Sequence, residues 1–477
     1  MFTLDALPVV VIGAGPVGLA AAAHLHERGL PCTLLEAGDG PGAAVRQWGH
    51  VRLFSPWRYD VDPAARRLLD AAGWDAPDPA ELPTGAELVA RYLRPLAELP
   101  QIAPDLRYGA RVEAISRLGL DRLRTAGRAE APFLVRLADG EELLARAVID
   151  ASGTWATPNV LGASGLPARG ERDAAAHLEH ALPDVLGADR DRFAGRHTLV
   201  VGSGHSAAHT LLALTELAAT EPGTAVYWAI RSADPSRSYG GGDADALPAR
   251  GALGSRLRAH VDAGRIRLLT GFRVHALTPA GERVAVVVRR ADGGEGSVLV
   301  DRVVGATGFR PDHSIAAELR LDLDPVLGAT RALAPLIDPN EHSCGTVPPH
   351  GVDELAHPEP GYHAVGMKSY GRAPTFLMAT GYEQVRSVVA ALAGDWDAAR
   401  DVQLDLPETG VCSSAPADAA GNGCCAPADP AGDGCCAPAD PAGRGLATGV
   451  PGGLRPLNLI PLTTAPTTAG TGGCCGS

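Results

Sequence analysis

No uninterrupted apolar run in this chain approaches the ~20 residues that a bilayer-spanning helix needs. The opening Met1-Phe2-Thr3-Leu4-Asp5 carries no basic charge, so nothing there resembles a secretory leader. Together these absences set the expectation of a cytoplasmic protein with no membrane partner. Basic charge is short as well: 42 Lys and Arg stand against 55 Asp and Glu, a net charge of −13. Nucleic acid is thereby excluded as the main partner, since a phosphate backbone needs a basic face. Cysteine is scarce where a core would use it. Only Cys32 and Cys344 occur in the first four hundred of the 477 residues, and the other seven of nine fall between Cys412 and Cys475. That placement excludes a disulfide framework and points to thiol or metal chemistry in the tail.

What is present begins with Pro8-Val9-Val10-Val11-Ile12, short, apolar and β-branched, as a buried parallel strand should be. Gly13-Ala14-Gly15-Pro16-Val17-Gly18 follows, then an Ala- and Leu-rich helix to Arg28 that stops at Gly29. A second strand, Cys32 to Glu36, ends in an acid. In this context each glycine has a task. Gly13 permits the tight turn, Gly15 admits backbone to a pyrophosphate, and Gly18 lets helix pack on strand. The helix amino terminus offers N–H groups and partial positive charge to phosphate, with Pro16 in the loop beside it, and Glu36 can take ribose hydroxyls.

The same plan recurs. His197-Thr198-Leu199-Val200-Val201 runs into Gly202-Ser203-Gly204-His205-Ser206-Ala207 and a helix to Leu217, a G-x-G-x-x-A form with Ala207 in the packing position. The next strand, Ala225 to Ile230, ends in Arg231 instead of an acid, which favours the 2′-phosphate of NADPH. His205 stands where it can orient a ligand or serve as polar filler. The runs Asp150-Ala151-Ser152-Gly153-Thr154-Trp155 and Ala306-Thr307-Gly308-Phe309-Arg310-Pro311-Asp312 echo each other. Their small residues let the chain cross close to a cofactor and pass between domains.

Between these landmarks the pattern predicts helices over 61–99, with Thr84 to Leu99 the best formed. Residues 106–147 read as a small antiparallel insertion, with strands Phe133–Leu137 and Ala145–Asp150 around an Ala138-Asp139-Gly140 turn. Tyr239 to Gly242 and Ala249 to Gly254 read as a mobile glycine-rich loop, and 266–300 as short strands. Thr375–Ala379 reads as a strand and Tyr382 onward as a helix aimed at a cofactor. Trp48, after the loop 38–42, and Trp155 are candidate pocket residues. No C-x-x-x-x-C dithiol occurs in 38–54, where one would serve a flavin.

From Pro407 the composition turns to Ala, Pro, Gly, Asp and Cys. An eleven-residue unit repeats from Cys424-Cys425 and from Cys435-Cys436, and Cys474-Cys475 lie near the end. Such a segment buries too little to offset ordering entropy, so disorder is expected. Paired thiolates suit soft ions such as trivalent arsenic or antimony, mercury or Cu(I), and the C-x-x-C spacing of a zinc site is missing.

These motifs resemble the flavin-containing monooxygenase superfamily over residues 5–395. Gly13-x-Gly15-x-x-Gly18 matches its FAD fingerprint and Gly202-x-Gly204-x-x-Ala207 its NADPH fingerprint, with Ala151-Ser152-Gly153 and Ala306-Thr307-Gly308-Phe309 as its linkers. Its F-x-G-x-x-x-H motif is not recognisable between Gly170 and His180. The resemblance implies an α/β fold of two Rossmann-like dinucleotide-binding domains, the second inserted in the first. The divisions are 1–160 and 306–406 for FAD, 161–305 for NADPH, and 407–477 for the tail. Thr307, Gly308 and Asp312 join the cofactor-binding set on this reading. It also implies NADPH oxidation with O2 and oxygen transfer to a soft, small-molecule nucleophile, the flavin doing the chemistry. With its cysteine tail the chain looks most like flavoproteins of bacterial arsenic-resistance operons, which implies a trivalent arsenical. Two other classes remain: a reductase of dithiols or metalloids using the terminal Cys pairs, and a metalloid-binding flavoprotein without catalysis. The oligomeric state is left open.

Overall fold

In the computed structural model, residues 4–404 are described, apart from 243, 244, 246, 290–293, 342–346 and 375. The β-branched run after Pro8 forms β1 (Val9–Ile12), buried at all four positions. A strand buried on both faces must sit centrally with helices over it, and β1 does. It lies parallel between β2 (Cys32–Leu35) and β7 (Ala147–Asp150), in a five-stranded sheet closed by β3 (Leu106–Arg107) and β16 (Tyr362–Ala364). Ile12 pairs with both Leu35 and Asp150, and Asp150 with Ala364.

A second parallel sheet repeats the arrangement. Here β9 (His197–Val201) lies between β10 (Ala225–Ala229) and β15 (Arg302–Gly305), with β11 (Arg267–Leu269) and β8 (Leu178–His180) outside. Each parallel sheet carries a three-stranded antiparallel meander just ahead of its return strand. The meanders are β4 (Val112–Arg117), β5 (Phe133–Leu137) and β6 (Glu142–Ala145) before β7, and β12 (Val274–Ala280), β13 (Arg283–Arg289) and β14 (Glu295–Val300) before β15. The helix Pro16–Glu27 packs between the first sheet and the helix Met378–Leu392, burying Leu19, Ala20, Ala21, Ala23 and Leu25 completely. Among the described residues no helix is long and apolar enough to cross a membrane.

Several expectations are corrected. The hairpin partner of Phe133–Leu137 is Glu142–Ala145; Ala147–Asp150 leaves the hairpin, because its four buried residues belong in the parallel sheet. The 85–97 helix is interrupted by a π turn at Val89–Leu93, just before Pro95. Proline has no N–H to offer the Arg91 carbonyl, and the Trp74 indole N–H donates to it instead at 2.8 Å. No mobile glycine loop forms at 249–254, which lies inside the helix Pro248–Asp262. Gly251 and Gly254 let residues 239–242 lie against that helix: a Cβ on either would come within 2.0 Å of the Gly242 or Tyr239 carbonyl oxygen. Finally, Met378 and Ala379 are helical, not strand, while Thr375 lies outside the described residues. The edge strand of the first sheet is instead Tyr362–Ala364.

Candidate cofactor and active site

At the carboxyl end of β1 the chain turns into its helix through the first glycine loop, and each glycine has a separate cause. Gly13 sits at φ +99°, where its Cβ would lie 2.8 Å from the Ala151 oxygen. A Cβ on Gly18 would lie 1.8 Å from the Gly13 oxygen, so helix and turn close only on glycine. Gly15 differs: nothing lies within 4 Å of its Cβ position. It caps the helix with extended backbone, no side chain accepts from the first N–H groups, and Pro16 occupies the first turn. Free donors, a helix dipole and open space together make a cradle for phosphate. Glu36 is buried and accepts from Ala14 N and Gly38 N, both at 2.7 Å. It therefore braces the loop, and its carboxylate keeps acceptor capacity for a ribose hydroxyl.

The second loop is built alike. Gly202 has φ +143°, its Cβ position lies 2.0 Å from the Ala306 oxygen, and that of Gly204 is open. Ala207 is fully buried. The helix His205–Thr220 again lacks a side-chain cap. His205, in its first turn, lies against Phe54 with ring centroids 5.1 Å apart. Burial pushes its imidazole below the usual range and pushes that of His209, one turn on, down to about 4, so both rings are neutral at pH 7. Arg231 is exposed just past the carboxyl end of β10.

Two crossing segments join the sheets, and they bind each other. Asn159 N donates to the Gly308 carbonyl at 2.8 Å, and Arg310 N to the Thr157 carbonyl at 3.0 Å. Thr307 Oγ1 donates to the Asn159 carbonyl at 2.8 Å, and Asn159 Nδ2 returns a bond to the Thr307 carbonyl at 3.0 Å. Thr307 and Gly308 thus belong to a clasp between the crossings. Asp312 is exposed and accepts from Ser314 N in its own turn, bonds that hold its carboxyl below the ordinary value. Trp155 donates its indole N–H to Gln47 Oε1 at 2.8 Å and stacks on Phe309 at 4.9 Å. Trp48 instead lies over Gly85, whose Cβ position is 2.9 Å from the indole ring. The hydrogen-bond partner of Trp155 is therefore the neighbour of Trp48 in sequence, Gln47.

Sequence patterns missed Lys368, whose Nζ lies 2.6 Å from Asp150 Oδ2. One signal was available: it is the only lysine of the chain. Gln384, on the helix that the sequence aims at a cofactor, accepts from Gly366 N at 2.7 Å and ties the Gly366–Tyr370 turn to the helix Met378–Leu392. Cys32 is the free cysteine among the described residues, its thiol pushed up to about 12 by burial and the nearby Asp105. Cys424, Cys425, Cys435, Cys436, Cys474 and Cys475 lie outside the described residues.

The open Gly15 and Gly204 positions, the uncapped helices beside them and the buried Glu36 fit FAD on the first loop and NADPH on the second. Residues 10–327 match the pyridine nucleotide-disulphide oxidoreductase family. Indole-3-pyruvate monooxygenase YUCCA1 of Oryza sativa subsp. japonica is 34% identical over 201 residues, 41% of this chain and 42% of that one. The chain spans about half the length of the curated relatives it matches first. Bacillithiol disulfide reductase from Bacillus cereus superposes with a TM-score of 0.59 at 19% identity, covering 81% of this chain and 99% of that one. A flavin-containing monooxygenase from Stenotrophomonas maltophilia superposes with a TM-score of 0.52 at 24% identity, covering 81% and 98%. The family match takes in more than half of the chain, and the chain belongs to the pyridine nucleotide-disulphide oxidoreductase family.

Proposed function

We propose that the chain is an NADPH-oxidising flavin monooxygenase whose substrate is a soft nucleophile, a trivalent arsenical. The observation that carries this reading is the lack of a redox dithiol among the described residues. Cys32 is half-buried and is the one cysteine among the described residues, and residues 38–54 beside the first loop contain no cysteine. The lack of a thiol pair there favours O2 over a disulfide as the acceptor. The arsenical is favoured by the sulfur pairs of the tail, since soft metalloids prefer thiolates.

When bound, FAD supplies hydride acceptance from NADPH and the activation of O2; the balance is NADPH, H⁺, O2 and substrate to NADP⁺, water and oxygenated substrate. The protein's own share is placement. Backbone N–H groups at Gly15 and Gly204 take the phosphates, Glu36 takes a ribose, and Arg231 takes the 2′-phosphate. Trp155, half-buried and held by Gln47 and Phe309, would offer an apolar ring beside the cofactor.

The test is NADPH oxidation with arsenite, with an organic arsenical and with a disulfide, each in air and without oxygen. Arsenical-dependent NADPH loss matched one to one by O2 uptake and by oxygenated arsenical, without hydrogen peroxide, supports the proposal; peroxide in place of oxygenated arsenical would overturn it. Anaerobic NADPH loss with the disulfide replaces it with the reductase reading. Cutting the chain after Leu406 should weaken arsenite binding and slow turnover at low arsenite, the two forms converging at saturation. Equal arsenite affinity in both forms would remove the tail from the reaction. Arg231→Ala should raise KM for NADPH while leaving NADH use nearly unchanged. Equal loss with both nucleotides would take Arg231 out of the 2′-phosphate site.

A further inference from the structure

Lys368 is 1% exposed, and its Nζ also reaches Ser152 Oγ at 3.0 Å. Its partner Asp150 is fully buried and fully satisfied. Oδ2 accepts from Lys368 and from Tyr362 OH at 3.0 Å, and Oδ1 from Ser152 N at 3.1 Å and Ser152 Oγ at 2.6 Å. Taking two charges out of water is costly, and a buried pair often stabilises a fold no better than apolar residues do. The chain contains its own control. In the second sheet the place of Asp150 is taken by Gly305, which pairs with Val201 as Asp150 pairs with Ile12. The architecture therefore forms without a charge there.

What differs is what the pair joins. Asp150 begins the crossing Ala151–Gly153; Ala151 fills the space that a side chain on Gly13 would need, and its Cβ lies 3.5 Å from the Cβ position of Gly18. Lys368 stands in the Gly366–Tyr370 turn, and the Cβ position of Gly366 lies 3.2 Å from Val17, the residue before Gly18. The crossing and the turn are thus two walls of the first glycine loop, and the ion pair spans them. Gln384 braces the same turn from the other side, through Gly366 N and Ser369.

We propose that Lys368 is a positioning residue for the flavin: through Asp150 it clamps the crossing and the turn around the first glycine loop, so that the cradle is already shaped when FAD arrives. This rests on the FAD reading of that loop. Preset walls raise affinity because less ordering is left to the binding step.

The test is FAD titration of apoprotein, followed by flavin absorbance, below the melting temperature of each form. Wild type, Lys368→Met and Val286→Ala are compared, the last opening a hole in the second meander as a stability control. Lys368→Met should weaken FAD binding at least tenfold and shift the visible flavin band, while Val286→Ala stays within twofold of wild type. The double variant Asp150→Asn with Lys368→Met removes the lone buried charge, so apoprotein stability should recover while FAD affinity stays low. It also carries the test if Lys368→Met does not fold. Recovery of affinity together with stability would overturn the proposal, as would wild-type affinity in Lys368→Met. Failure of the wild type itself to bind FAD would overturn the reading of the loop instead.

Discussion

Gly15 and Gly18 belong to one motif yet should fail in opposite ways. A side chain on Gly15 meets nothing within 4 Å, whereas one on Gly18 meets a carbonyl oxygen at 1.8 Å. Gly15→Val should therefore leave apoprotein stability within ~0.5 kcal/mol and abolish flavin binding by filling the cradle. Gly18→Ala should lower the melting temperature of the apoprotein itself. Calorimetry and flavin absorbance on both variants check this, and an intact flavin complex in Gly15→Val would contradict the site. A third residue sets a pH dependence. Asp60 is 1% exposed with Oδ2 unpartnered, and burial pushes its carboxyl up to about 8 against the Ser55 hydrogen bond. Between pH 4 and 8 the folded state then holds a proton that the unfolded state has lost, so stability falls as pH rises, by up to ~1.4 kcal/mol per pH unit. Asp60→Asn removes that titration. Its gain in melting temperature over wild type should grow from pH 5 to pH 8, and a constant gain would show that Asp60 is already ionised.

At the level of elements, the strands and helices that flank the glycine loops were legible because apolar period, glycine and cap residues agree there. The elements misread lack that agreement. Ala249 to Gly254 looks like loop from its glycines, but those glycines serve a close helix contact. Thr375–Ala379 has strand composition, yet helix begins at Met378 with Gly381 facing Val17 and Phe376 in its first turn. The π turn before Pro95 makes a local prediction. Trp74→Phe removes the donor to the Arg91 carbonyl and should cost about 1 kcal/mol in urea unfolding with flavin affinity unchanged. No change in stability would mean that water replaces the indole.

For the molecule as a whole, acid is the weak side. Burial pushes the imidazoles of His209, His357 and His363 down to about 4. Their folded values lie below the ordinary 6.5, so the unfolded chain takes up protons first. The stability they confer is complete above pH 6.5 and is lost as pH falls toward 4, opposite in sign to the effect of Asp60. The urea midpoint should drop across that window, and His357→Gln should make the drop shallower; an unchanged profile would remove His357 from it. Sequence alone determined the two nucleotide units, since a strand, a glycine loop and a helix are contiguous and each residue acts on near neighbours. It also determined the echo between the two crossings. Only tertiary structure decided what those crossings do. It laced Thr307 and Asn159 into a clasp, set Trp155 on Gln47 instead of Trp48, and brought Lys368 to Asp150 from 218 positions away. Pairings across that separation depend on how whole sheets and turns pack, and no local pattern of residue types encodes them.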